Sequence, residues 1–211
     1  MFDLTLSMLL IRLVVLLPII ALYGWVTVLA ARLLGEPGPA QDGRQTLNPL
    51  AHLDIMGAVC FLLFGLGWMA PLDISPDRLR GQAGGVLAMM LAGFIALLLL
   101  AFIAILLLPF AANLGSLSGA GIAGSILIAF CRLGVSFALF NLLPLPKLGG
   151  QYLLWAIFPT LADWTKRYGL AIGAVLLLLV ATGIFGRLID PLEAVIVRAI
   201  SGDTAVLGRT V

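Results

Sequence analysis

Twelve residues, Gly43 to Asp54, gather the polar chemistry of this chain: Arg44, Gln45, Thr46, Asn48, the single histidine His52, and Asp54. An imidazole and a carboxylate two positions apart are metal ligands by type. A catalytic zinc shell takes about three protein ligands, however, and this pair does not fill it. Hydrogen bonding is the chemistry left to them, with His52 and Asp54 tying a loop to neighbouring helix ends. Cys60 and Cys131 are isolated in apolar surroundings. Without a second pair at ligand spacing they read as small buried hydrophobes, neither disulfide nor metal site. Two cations stand inside apolar runs. Arg12 is near enough to a helix end to snorkel. Arg132 sits near a midpoint, where an arginine costs roughly 2.5–3.5 kcal/mol, so it needs a partner. The backbone of a neighbouring apolar segment, or Asp54, is the expected one.

The elements that hold these residues are membrane helices. The 211 residues are 62% hydrophobic and 10% charged, and mean hydropathy is +1.17. A soluble domain of this length could not hide so much apolar surface. Leu4–Ala31, Gly85–Leu108, Gly121–Leu143 and Tyr168–Ile189 each reach the roughly 20 apolar residues that cross a bilayer. The first run is too long for a signal peptide and has no basic head, so it reads as a retained helix. The net charge of +2, with no basic patch, gives no footing for nucleic acid. Pro191–Ile200, apolar but carrying Glu193 and Arg198, is expected to lie along the surface. Trp155 and Trp164 are expected as interfacial anchors.

Ile55–Pro71 is the ambiguous piece, apolar but short and interrupted by Gly57, Gly65 and Gly67. If it dips in and returns, Arg32, Arg44, Arg78, Arg80, Lys147, Lys166 and Arg167 all fall on one side. The opposite loop, Pro109–Ala120, then carries no charge. That asymmetry favours a re-entrant segment, with 32–83 cytoplasmic and both termini outside. Re-entrant backbone must be buried in protein or line a wet cavity, since lipid satisfies no polar group.

Four stretches carry a family resemblance. Gly43-Arg44-Gln45-Thr46-Leu47-Asn48-Pro49-Leu50-Ala51-His52-Leu53-Asp54 resembles the motif after the first core helix of bacterial site-2 proteases, the intramembrane zinc metalloproteases. Leu33-Leu34-Gly35-Glu36-Pro37 is similar to the helix end before it. Phe64-Gly65-Leu66-Gly67-Trp68-Met69-Ala70-Pro71 is similar to the family's Phe-Gly-Trp-Ala-Lys-Pro. Asn141 to Gly150 resembles Asn-Leu-Leu-Pro-x-Pro-x-Leu-Asp-Gly. The match covers about residues 20–155, in order. It implies an all-α integral membrane protein: one polytopic domain over 1–211 with about four transmembrane helices plus a re-entrant segment. An extra helix at 168–190 follows the family-like core.

The resemblance also implies where zinc would sit: two histidines of His-Glu-x-x-His on the first core helix, and an aspartate of the last motif. Positions i and i+4 share a helix face, which lets two imidazoles grip one ion. Counted back from Ala31, that motif falls on Tyr23-Gly24-Trp25-Val26-Thr27, so Tyr23 and Thr27 replace the histidines and Gly24 the glutamate. Gly149 stands where the aspartate is expected. The family's Ala-Gly-Pro-x-x-Asn is matched here to Ala83-Gly84-Gly85-Val86-Leu87-Ala88. The expectation is a non-catalytic homologue, a pseudoprotease without metal or cofactor, in a bacterial inner membrane. It would bind a transmembrane protein partner or serve as an accessory subunit, with lipid around it. Trp25, His52, Asp54 and Asn141 are the candidate partner-binding residues. Asn141 equally suits the satisfaction of helix-end backbone groups. The alternatives are an intramembrane metallopeptidase with unrecognised ligands and, behind it, a small transporter or channel subunit built on Arg12 and Arg132.

Overall fold

A computed structural model describes residues 5–113 and 117–202. The first helix, α1, runs Leu6–Leu33, and Thr5 caps it by accepting the Met8 N–H at 3.2 Å. Its 28 residues reach about 42 Å, enough to cross a bilayer. After a π turn at Ala40–Arg44 and a 3₁₀ turn at Pro49–Ala51 comes α2, Ile55–Phe64. Two long helices follow, α3 at Ala83–Ala112 and α4 at Leu117–Leu142. Four shorter ones follow among the described residues: α5 Gln151–Ile157, α6 Thr160–Arg167, α7 Gly169–Ala181 and α8 Ile184–Ser201. The architecture is that of an all-α membrane protein. Among the described residues three helices, α1, α3 and α4, are long and apolar enough to span, and a fourth span is reached if α6 and α7, bent by 80°, count as one. Val15, Ile19 and Ile20 of α1 pack with Phe61, Met89, Leu97 and Phe137 in the core. On α3, Leu91, Ile95, Leu99, Phe102 and Leu106 are exposed, spaced three or four apart, and offer lipid one apolar face.

The segment from Ile55 to Pro71 goes in as a helix and comes back extended. Asp54 Oδ1 caps α2 by accepting the Gly57 N–H at 2.9 Å. Gly65, at φ 76°, ends it in the left-handed conformation that glycine adopts without a Cβ penalty. The chain then returns until Met69 forms an antiparallel bridge with Leu53 and Ala70 N–H donates to His52 O at 2.8 Å. The helix and the returning limb touch backbone to backbone. A Cβ built on Gly67 would come within 2.5 Å of Gly57 O, so neither position has room for a side chain.

Several sequence expectations need correction. Tyr168–Ile189 is not one span. The chain breaks at Thr182–Gly183, with Gly183 at φ 76°, and the 13 residues of α7 reach only about 20 Å. Pro191–Ile200 belongs to α8, which buries Glu193 and Val197 and leaves Leu192 and Val195 exposed. Trp155 is buried as well, its Nε1 donating to Thr165 Oγ1 at 3.1 Å, while Trp164 stays exposed. Arg132 finds neither the short segment nor Asp54. Its Nε lies 3.0 Å from Glu193 Oε1, and Arg12 takes the carbonyls of Leu62 and Leu63 instead, at 2.8 Å each. The loop expected at Pro109–Ala120 is mostly helix, and 114–116 lie outside the described residues.

Tyr152, on α5, is nearly fully buried and accepts the Leu72 N–H at 2.7 Å while donating to Leu72 O at 3.3 Å. Tyr152→Phe keeps the ring and strands a buried N–H, which costs about 1–3 kcal/mol. Unfolding of detergent-solubilised protein should show that loss. Tyr168→Phe, at a half-exposed ring, should be close to neutral. Equal stability of the two variants would remove the anchoring role of Tyr152.

Candidate functional site

The positions to which the resemblance assigns ligands and base converge at the C-terminal half of α1. Tyr23 and Thr27 share one face of that helix, and α3 meets them at Gly93. A Cβ there would stand 2.7 Å from Tyr23 Cε2 and 2.9 Å from Thr27 Oγ1. The loop after α4 arrives at Gly149, where a Cβ would stand 2.6 Å from the Tyr23 hydroxyl. Gly24 faces the loop before α2: a Cβ on it would run into the His52 imidazole, within 2.5 Å of Cγ. So Tyr23, Gly24, Thr27 and Gly149 come together, and His52 joins them. Ala83–Ala88 does not. Nothing lies within 4 Å of a Cβ on Gly84, and the stretch that packs against Tyr23 begins Ala92-Gly93. The same Ala-Gly pair opens Ala92-Gly93-Phe94-Ile95-Ala96-Leu97, so the sequence held a second register that helix packing selects.

The side chains here are spent on each other. Tyr23 is 2% exposed and stacks edge-on to Phe137 at 5.5 Å. Thr27 Oγ1 donates back to Tyr23 O at 2.7 Å, the usual outlet for a threonine inside a helix. The His52 ring is fully buried, with Nε2 2.9 Å from Thr46 O. A carbonyl only accepts, so Nε2 carries the proton and Nδ1 is left bare, against Gly24 and without a partner among the described residues. Burial pulls the imidazole below its ordinary value, the nearby Arg44 charge acts in the same direction, and the Thr46 carbonyl opposes them.

Asp54, besides capping α2, lies 3.2 Å from Lys147 Nζ in the Pro-Leu-Pro-Lys loop. Asn141 is 1% exposed, and its Nδ2 donates to Gly67 O at 3.0 Å and Phe137 O at 2.9 Å. Its amide thereby clamps the returning limb onto α4, and a partner would reach it only by displacing the limb. Trp25 is partly exposed on α1. Of the other three candidate partner-binding residues, Asp54 is also partly exposed, whereas His52 and Asn141 are buried. Arg44 was not singled out by sequence, yet its Nη2 donates to Ala70 O at 3.0 Å. Its position within the polar stretch was the available signal.

The lowered His52 basicity sets a pH dependence. The folded state disfavours the proton, so the histidine's contribution is full above about pH 6.5, the unfolded value. It falls as pH drops from there toward the folded value, because the unfolded chain then binds more protons. Thermal midpoints between pH 8 and 5 should fall more steeply for the parent than for His52→Asn. Parallel curves would show that the ring titrates as freely folded as unfolded.

With this geometry in hand, comparison with curated proteins finds the Bacillus subtilis (strain 168) protein named "Putative zinc metalloprotease YwhC", 29% identical over 134 residues. The alignment takes 59% of this chain and 58% of that protein, so the chain spans less than two thirds of its relative. No family model and no solved structure matches. The zinc in the relative's name does not fit the residues present here. Among the described residues no three His, Cys, Asp or Glu side chains are grouped to hold a metal, and the converging positions offer two hydroxyls and two glycines. The chain is distantly related to a protein named as a putative zinc metalloprotease, and its own converging positions form a packed cluster.

Proposed function

We propose that this chain is a non-catalytic relative of intramembrane zinc metalloproteases that binds another transmembrane protein in a bacterial cytoplasmic membrane. The observation that carries the first half is the filling of the centre by its own side chains. Where a base would project from position 24, the His52 ring already stands; where a carboxylate would project from 149, the Tyr23 hydroxyl stands. A hydrolytic zinc site needs several ligands on one ion and an open position for water. Tyr23 and Thr27 supply weak neutral oxygens, and Gly24 offers no base. The partner half is supported by the retained membrane scaffold and by the partly exposed Trp25 on α1.

Zinc content tests the first half. The purified parent should carry far less than one zinc per chain and leave membrane peptides intact. A variant with Tyr23→His, Gly24→Glu, Thr27→His and Gly149→Asp should stay zinc-poor while His52 fills the space beside position 24. Adding His52→Ala should let that set bind zinc. Stoichiometric zinc in the parent would overturn the reading and point to a relocated site.

Photocrosslinking tests the second half. A photoreactive residue at Trp25, introduced in native membranes, should give a discrete adduct with another membrane protein. The same residue at Leu99, on the lipid face of α3, should not. Identical smears from both positions would remove the partner.

A further inference from the structure

A cavity lies about 16 Å along α1 from the packed cluster, from Tyr23 back to Arg12, and shares no residue with it. Its volume is about 700 Å³, and it sits between the start of α1, the end of α2, the middle of α4 and the junction of α7 with α8. Three arginines line it, Arg12, Arg132 and Arg187, against two carboxylates, Asp190 and Glu193. Glu193 is committed to Arg132 at 3.0 Å. Asp190 is one helical turn from Arg187. No ion pair joins those two, and Arg12 too is without a carboxylate among the described residues.

Arg12 is incompletely satisfied. Among the described residues only Nη1 donates, to Leu62 O and Leu63 O, and the buried Nε has no acceptor. A guanidinium presents a planar fork of donors, and an oxyanion is what engages two of them at once. Ser7 and Ser136 add hydroxyls to the wall, while Ile11, Leu133 and Val180 add apolar surface. The cavity reaches Thr5, the cap of α1, so it opens where a spanning helix begins and lipid headgroups lie. A volume of this size belongs to small-ligand pockets, roughly 300–1,000 Å³, and is too small for a spanning partner helix.

We propose that this cavity is a phosphate-binding site, with Arg12 and Arg187 as its anion ligands and the apolar wall receiving the start of an acyl chain. The phosphate comes either from a phospholipid headgroup or from a free phosphate, and the apolar wall favours the headgroup.

The parent, in a phosphate-free non-ionic detergent, is titrated separately with dihexanoyl phosphatidylglycerol and with inorganic phosphate, and binding is read by calorimetry and thermal shift. Saturable binding is expected. A response to the lipid well above that to phosphate assigns the headgroup, and an equal response assigns the free anion; both support the site. Arg187→Gln removes an exposed charge from the wall and leaves the packing untouched. It should weaken binding about tenfold, the worth of one charge-assisted hydrogen bond. Arg12→Lys keeps a cation for the α2 carbonyls but loses the fork, and should weaken binding while the thermal midpoint without ligand holds. No saturable binding by either probe overturns the proposal, as does parental affinity in both variants.

Discussion

The constraint on which the rest of this structure depends is that backbone taken out of a helix, inside a membrane protein, must find hydrogen-bond partners from the protein itself. The limb returning from Gly65 to Ile74 is such backbone, and side chains and loops from all round the fold are spent on it. Asn141 of α4 takes Gly67 O, the chain before α2 takes Ala70 N–H, Arg44 takes Ala70 O, and Tyr152 of α5 takes both groups of Leu72. These anchors lie up to 80 residues away in sequence, so the limb ties the N-terminal loop, α4 and α5 to one another. Glycine makes the fit possible: Gly57 and Gly67 let α2 lie against its own return.

Electrostatics hold α2 from both ends. Asp54 stands at its start, where the helix dipole is positive, and Arg12 reaches the carbonyls at its end, where it is negative. A ten-residue helix is marginal alone in water. Here Lys147 neutralises the acid from the α4–α5 loop, and α1 supplies the cation. The charges that make the short helix stable thus belong to its neighbours.

Much of this was legible in the sequence. The three long spans announced themselves by length, the end of α2 by a glycine, and the return of Ile55–Pro71 by the one-sided distribution of arginines and lysines. The convergence of Tyr23, Gly24, Thr27 and Gly149 followed from matching short motifs in order. What escaped was contact across distance. Arg132 and Glu193 are 61 residues apart, and no periodicity in either stretch links them. Arg12 and Arg132 are both cations in apolar runs, and only packing decides which receives the α2 carbonyls. The break at Gly183 was hidden because its neighbours are as apolar as a span, and hydropathy does not sense a left-handed φ. The sequence match to Ala83-Gly84 passed over Ala92-Gly93, which only the packing of Gly93 against Tyr23 brings forward.

The contact between Gly24 and His52 has a consequence for the history open to such a chain. Any single change that adds a side chain at position 24 meets an occupied volume, and so does one at 149 while Tyr23 remains. A first step toward a metal-binding set at either glycine is therefore a loss in packing before it is a gain in chemistry. His52 and Tyr23 would have to yield in the same lineage, at nearly the same time, for the path to be crossed. The interlock acts as a ratchet: the arrangement is easy to keep and costly to leave one substitution at a time.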